Sequence, residues 1–273
     1  MQYSATGDLK MKYITLIYEH LDEIDKSSKE EVALLIAQHN NLQKQAKQSQ
    51  AYLGATELQA IDKAVSLRIR NDKVSITDGP FIESKEIFVG FYLFETSNLD
   101  KALEWAQMVP TRAKGGLEVR PLDNAKCLAS ANHNNLLEHI GENITMYALL
   151  IYQAEDLFDA YTAKQLQELI HGSTLMAEKA MADGVYVTGN KLMPAVTATT
   201  IKTNNKQTSI IDGPFSEAKE VLLGFHVLAT QDIAAVLAYA QIIPDAYAGV
   251  VEVRPINFYE QDGEKAFQWT HSK

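Results

Sequence analysis

The chain has one cysteine, Cys127, in 273 residues. A lone thiol cannot close an internal disulfide and cannot build a zinc site by itself. Long apolar runs are also missing: none approaches the roughly 18 residues that cross a bilayer. Met1–Met11 carries no apolar stretch of the kind that marks a secretory signal. The seven histidines form no His-x-x-His pair, so no metal is expected. Gly-rich phosphate loops, a nucleophile elbow and flavin or nicotinamide fingerprints are absent too, and no cofactor is expected. Basic charge is in deficit, with 25 Lys and Arg against 35 Asp and Glu and a net charge of −10. Nucleic-acid-binding faces neutralise phosphates with clustered cations. Here the cations are scattered, so neither direct nucleic-acid binding nor docking on an anionic membrane is expected. Together these absences point to a protein of the reducing cytoplasm.

What is present is a repeat. Asp-Gly-Pro-Phe occurs at Asp78–Phe81 and again at Asp212–Phe215, a shift of 134 residues. The same shift carries Tyr13, Leu16 and Tyr18 onto Tyr147, Leu150 and Tyr152, and Glu83, Lys85 and Glu86 onto Glu217, Lys219 and Glu220. Glu118-Val-Arg-Pro121 falls on Glu252-Val-Arg-Pro255. The chain therefore reads as a tandem duplication: repeat 1 over 12–122, a polar linker over 123–144, repeat 2 over 145–256 and a tail over 257–273.

Each repeat spells the same element order. Lys12–Tyr18 is β-branched and aromatic, as strands are. Ser27 or Ser28 then stands three residues before Glu30 or Glu31, a capping box opening a helix with Val32, Leu35, Ile36, His39, Leu42 and Ala46 at helical spacing. Thr162 and Gln165 do the same in repeat 2. Strands are expected at 51–57, 64–70 and 73–77, the last two as a hairpin turning at Asn71-Asp72. Ile87–Phe94 is apolar on both parities, so its strand should be covered on both faces. A helix ending before Pro110 and a strand at Leu117–Arg120 close the unit. That order is a ferredoxin-like α+β unit with an added hairpin. Its helices cover one sheet face, and packing the two repeats sheet to sheet covers the other, giving an intramolecular dimeric α+β barrel. The linker would carry one short helix over Asn135–Ile140. The aromatic tail (Phe258, Tyr259, Phe267, Trp269) should dock on the chain or support self-association.

Asp-Gly-Pro-Phe, the following Glu and Lys-Glu, Gly90-Phe91 and the closing Glu-Val-Arg-Pro together resemble the YCII-related family of the DGPF type. The resemblance spans roughly 12–122 and 145–256. It implies the dimeric α+β-barrel fold, normally built from two chains, and an imidazole–carboxylate pair in a cleft. His39 occupies the family's histidine position in repeat 1; repeat 2 has Ser173 there, with His171 nearby. The family's acid precedes the proline that ends the second helix, but this chain has Val109 and Ile243 at those places.

Candidate site residues follow from these motifs. Asp78 and Asp212 could act as bases or ligand anchors, or simply bond the amides of their own turn, with Gly79 supplying a positive φ and Phe81 an anchor to the core. Lys85 and Lys219, beside Glu83 and Glu217, could hold an anion or be a solvated charged face. Arg120 and Arg254 share a strand face with Glu118 and Glu252 by the strand period of two. Facing the interior they would be carboxylate or phosphate hooks; facing water they would be surface ion pairs. His39 is a candidate catalyst or a surface residue, and His226, replacing Tyr92, is read as a satisfied core histidine. Three functions remain open: a cofactor-independent acid–base enzyme acting on a small anionic organic molecule, a non-catalytic ligand-binding or regulatory module, and a structural interaction protein.

Overall fold

In the computed structural model the residues described are 10–71, 73–81, 85–123, 144–154, 156–157, 161–204, 207–215, 219–243, 249–261 and 264–268; the side chains of 166, 204 and 264–268 are outside the description. Repeat 1 runs β1 (Met11–His20), α1 (Leu21–Lys26), α2 (Lys29–Gln48), β2 (Tyr52–Leu58), β3 (Val65–Arg70), β4 (Lys73–Asp78), β5 (Glu86–Thr96), α3 (Leu99–Ala106) and β6 (Gly116–Pro121). Repeat 2 runs β7 (Thr145–Ala154), α4 (Ala163–Ala182), β8 (Tyr186–Lys191), β9 (Thr199–Asn204), β10 (Gln207–Asp212), β11 (Glu220–Thr230), α5 (Ile233–Ala240), β12 (Val250–Gln261) and β13 (Glu264–Gln268). The expected linker helix and Trp269 fall outside the described residues.

The helix starts are written locally. Ser28 accepts from the Glu31 amide while the Glu31 carboxylate accepts from the Ser28 amide, and Thr162 and Gln165 repeat the device. Such reciprocal bonds satisfy donors that a helix N-terminus otherwise leaves open. The short α1 had no comparable signal in the sequence.

Each repeat forms an antiparallel sheet, β6-β1-β5-β2 and β12-β7-β11-β8. Two seams join them. At one, β12 runs past repeat 2 and pairs with β2, as in Ile256 with Leu58 and Tyr259 with Thr56. At the other, Leu122 bridges Leu192, flanked by the Asp123 amide on the Lys191 carbonyl and the Met193 amide on the Pro121 carbonyl, both 3.0 Å. With both seams made, the strands close a barrel, the α+β architecture expected above. β13 folds back on β12, so this part of the tail stays within the chain.

The inward faces meet in an apolar core that includes Ile14, Leu16, Phe91, Leu150 and Phe225, all buried. Phe91 and Phe225, equivalent under the repeat, touch across it with centroids 4.6 Å apart. Phe94 faces α3 and stacks on Trp105 at 6.1 Å. The β-bulge between Ile17 and Tyr18 opposite Gly90 resets the parity, placing Phe88 and Phe91 inside. Gly90 is required there, since a Cβ would sit 2.2 Å from the Thr56 carbonyl oxygen.

The sequence reading leaves open which sheet edge each hairpin joins, and it marks one continuous buried face on α2. The hairpins do not extend their own sheets: β3 pairs with β12 of repeat 2, Leu67 opposite Val251, and β9 pairs with β6 of repeat 1, Ile201 opposite Leu117. Along α2 the packing is uneven, with Val32 and Leu35 half-buried. Leu42 and Ala46 are buried, whereas Leu34 and Ile36 are 61% and 54% exposed. The periodicity marked one continuous face, but the sheet supports only part of it. Among the described residues no helix is long and apolar enough to cross a membrane.

Candidate functional site

Gly79 and Gly213 have φ of +95° and +105°, the positive values expected for the DGPF turns. Asp78 and Asp212 end β4 and β10 as exposed residues, and among the described residues their carboxylates hold no partner. The turns are fastened otherwise. Ser66 donates to the Gly79 carbonyl and Thr200 to the Gly213 carbonyl, each at 2.8 Å. The Gly79 and Gly213 amides in turn donate to Ala64 and Ala198, at 2.7 and 2.8 Å.

The phenylalanine after each turn anchors to the opposite repeat. Phe215 stacks on Tyr18 with centroids 4.9 Å apart, and Phe81 lies against Tyr152 at 4.6 Å. Gly116 leaves room for the Phe215 ring; a Cβ there would fall 2.0 Å from a ring carbon. The closing Glu-Val-Arg-Pro strands receive these loops. Glu118 and Arg120 project into the barrel, each 1% exposed. The Phe215 amide donates to Glu118 Oε2 at 2.9 Å, Arg120 Nη2 donates to Glu118 Oε1, and Arg120 Nη1 donates to the Leu222 carbonyl at 2.7 Å. The mirror set is Glu252 accepting from the Phe81 amide and Arg254 Nη1 donating to the Phe88 carbonyl at 2.7 Å. Burial pushes the Glu252 carboxyl up and the Arg254 guanidinium down, each opposed by the charge of the other.

The structure thus joins Phe215 to Glu118 and Arg120, and Phe81 to Glu252 and Arg254, motif to motif between repeats. Lys85 and Lys219 remain exposed, and Glu83 and Glu217 lie outside the described residues. The Nη1 and Nη2 atoms of both buried arginines bond protein groups, while each Nε is buried without a partner.

The remaining chemistry lies on the outer face of repeat 1, between α2 and the sheet. His39 Nδ1 and the Tyr92 hydroxyl share a hydrogen bond of 2.9 Å, with the rings stacked at 5.8 Å. Desolvation lowers His39 to about 4, with the Arg112 charge adding to the shift. The imidazole is therefore neutral at pH 7. Tyr92 is raised, chiefly by burial. Opposite Tyr92 on β1 is Thr15, wholly buried, whose hydroxyl has no hydrogen-bond partner. A buried hydroxyl left unpaired is costly, which draws attention to this spot.

Arg112 lies at the N-terminal end of α2, where its charge reaches His39. Its Nε donates to Ser27 Oγ at 2.9 Å and its amide to Glu19 Oε1 at 3.0 Å. Glu19 is 2% exposed and raised by burial, an effect its bonds to Arg112 oppose. At the other end Tyr52 and Lys47 meet Glu260, which the extension of β12 delivers from repeat 2. Val109, at the family's acid position, is buried in the apolar cluster with Leu42 and Ala106. Tyr92, not a carboxylate, is the partner of the imidazole.

Repeat 2 has other residues at these positions. Leu149 replaces Thr15 and is fully buried, and Ser173 replaces His39. His226 replaces Tyr92, with Nδ1 3.3 Å from the Tyr186 hydroxyl. It is buried over Gly189, where a Cβ would lie 2.4 Å from its ring. Burial lowers His226 to about 4. The core reading of this histidine fits its surroundings. Thr15, Tyr92 and Arg112 were not singled out from sequence; the signal lay in positions where the repeats differ in polarity, of which only Tyr92 against His226 stood out. Among the described residues no His, Cys, Asp and Glu group is arranged to hold a metal ion.

An uncharacterised protein of Rhizobium meliloti (strain 1021) is 28% identical over 117 residues, which is 42% of this chain and 94% of that protein. Among solved structures, a mutant chlorite dismutase from Candidatus Nitrospira defluvii superposes with a TM-score of 0.42 at 8% identity, covering 90% of each chain. The same enzyme in complex with imidazole gives 0.41 at 8% identity and the same coverage. Likeness this loose carries no information on chemistry. The YCII-related domain, by contrast, matches residues 11–125 and again 145–259. With two copies spanning most of its length, this chain belongs to the YCII-related domain family.

Proposed function

We propose that the protein binds a small anionic organic molecule in the cleft of repeat 1 and moves a proton on it without a cofactor. The observation that carries this reading is the neutral, desolvated His39 bonded to Tyr92 beside the unpaired Thr15 hydroxyl. In one tautomer Nδ1–H donates to the Tyr92 oxygen and the Nε2 lone pair is a base. In the other, Tyr92 donates to Nδ1 and Nε2–H becomes a donor to a developing oxyanion. Arg112, close enough to influence His39, supplies positive charge toward the substrate anion.

The test is deuterium exchange at the carbon acid of pyruvate and acetoacetate, followed by proton NMR in D2O. Exchange faster than buffer, abolished in His39→Ala and slowed about 10²-fold or more in Tyr92→Phe, is expected. Equal rates with wild-type and His39→Ala protein would remove the enzyme reading.

A structural reading, with the DGPF loops fastening the two halves, is favoured by one observation: the DGPF and Glu-Val-Arg-Pro motifs engage one another across the repeats. Their retention in both halves then needs no chemistry. Absence of both binding and exchange would select this reading, and binding of the same acids without exchange would select the ligand-binding module.

A further inference from the structure

The reciprocal clasp leaves one feature unexplained. Tyr18 and Tyr152, equivalent under the repeat, are each packed by a phenylalanine of the opposite loop, yet neither side chain is closed off from solvent. The two lie near one another, since the charges of Tyr18 and Glu118 both reach Tyr152. Burial holds both phenols above the ordinary tyrosine range, so they are O–H donors at physiological pH. Beside them, Arg120 and Arg254 each keep a buried Nε–H with no acceptor.

We infer that the crevice between Tyr18 and Tyr152, inside the barrel, is a second small-ligand site that takes a carboxylate with a flat apolar body. Two buried guanidinium N–H groups there lack an acceptor, two phenol hydroxyls stand beside them, and a carboxylate is the common acceptor-only group. The buried charges there, two guanidiniums and two carboxylates, offset each other, and Glu86 adds one further carboxylate within reach of Tyr18. Phe88, whose ring lies 5.7 Å from that of Tyr18, and Phe81 offer flat apolar walls. This site is separate from the His39 cleft, which lies on the other face of the sheet.

The experiment is a benzoate titration of the full chain carrying carbon-13 at tyrosine Cζ, with resonances assigned by Tyr→Phe variants. Saturable shifts at Tyr18 and Tyr152 are expected. Tyr18→Phe and Tyr152→Phe, which keep the stacked rings, should each weaken binding about tenfold; His39→Ala should bind as wild type does. Unmoved Tyr18 and Tyr152 resonances would overturn the inference, as would an unchanged Kd in the double Tyr→Phe variant. Shifts abolished by His39→Ala would move benzoate to the outer cleft, overturning this site while supporting the other.

Discussion

Glu118 accepts the Phe215 amide 97 residues away in sequence, at 2.9 Å, while holding Arg120 with its other oxygen. One carboxylate thus closes an ion pair within its strand and captures the loop of the other repeat. Removing it strands a guanidinium in the interior. Glu118→Ala should lose about 3–5 kcal/mol of stability, the usual cost of an orphaned buried charge. Chemical denaturation measures this. Hydrogen exchange should show faster opening at β9 and β10 than at β3 and β4.

Two glycines separate steric from conformational cost. Gly116→Ala drives a Cβ into the Phe215 ring, and should cost about 1–3 kcal/mol by overpacking. Gly79 has open space around its missing Cβ but a φ of +95°. Gly79→Val should therefore lose about 1–3 kcal/mol through backbone strain alone. An unchanged melting temperature in Gly79→Val would rule out that strain.

His226 gives a pH signature. Its value is depressed to about 4 in the folded chain, against about 6.5 when unfolded. Between those values the unfolded state binds the extra proton, so stability present above pH 6.5 is lost as pH falls toward 4. The loss attributable to this residue is on the order of 3 kcal/mol. His39 acts in the same direction, whereas the raised carboxyls Glu19 and Glu252 act in the opposite one. Comparing wild type with His226→Asn isolates the residue: the variant should show a shallower decline from pH 6.5 to 4. Equal slopes would contradict a buried neutral imidazole.

The elements were legible because they are written in local chemistry: capping boxes at Ser28 and Thr162, turn glycines at 79 and 213, and the doubly apolar β5. The barrel followed from the need to cover the face opposite the helices. What could not be read was which sheet edge each hairpin would join. Leu67 and Ile201 are apolar strand residues that suit either repeat, and only the closed barrel offers the edges of β12 and β6. The same gap hid the site. Asp78 and Lys85 stood out because both repeats keep them, yet they lie exposed. Thr15 and Tyr92 are unremarkable in a strand and acquire meaning only when α2 sets His39 above them.

The uneven packing of α2 has its own consequence. Leu34 and Ile36 contribute little to the core, so Leu34→Ser should change stability by no more than about 0.5 kcal/mol. Leu42→Ala, at a buried position, should cost about 2–5 kcal/mol. Equal losses would mean that the whole helix is docked.

The most direct measurement of the central claim is a nitrogen-15 NMR titration of the His39 imidazole from pH 8 to 3.5. A ring still neutral at pH 6, with a midpoint near 4 that rises in Tyr92→Phe as water enters beside it, is the predicted result. A midpoint near 6.5, unmoved in Tyr92→Phe, would place His39 in water and contradict the site.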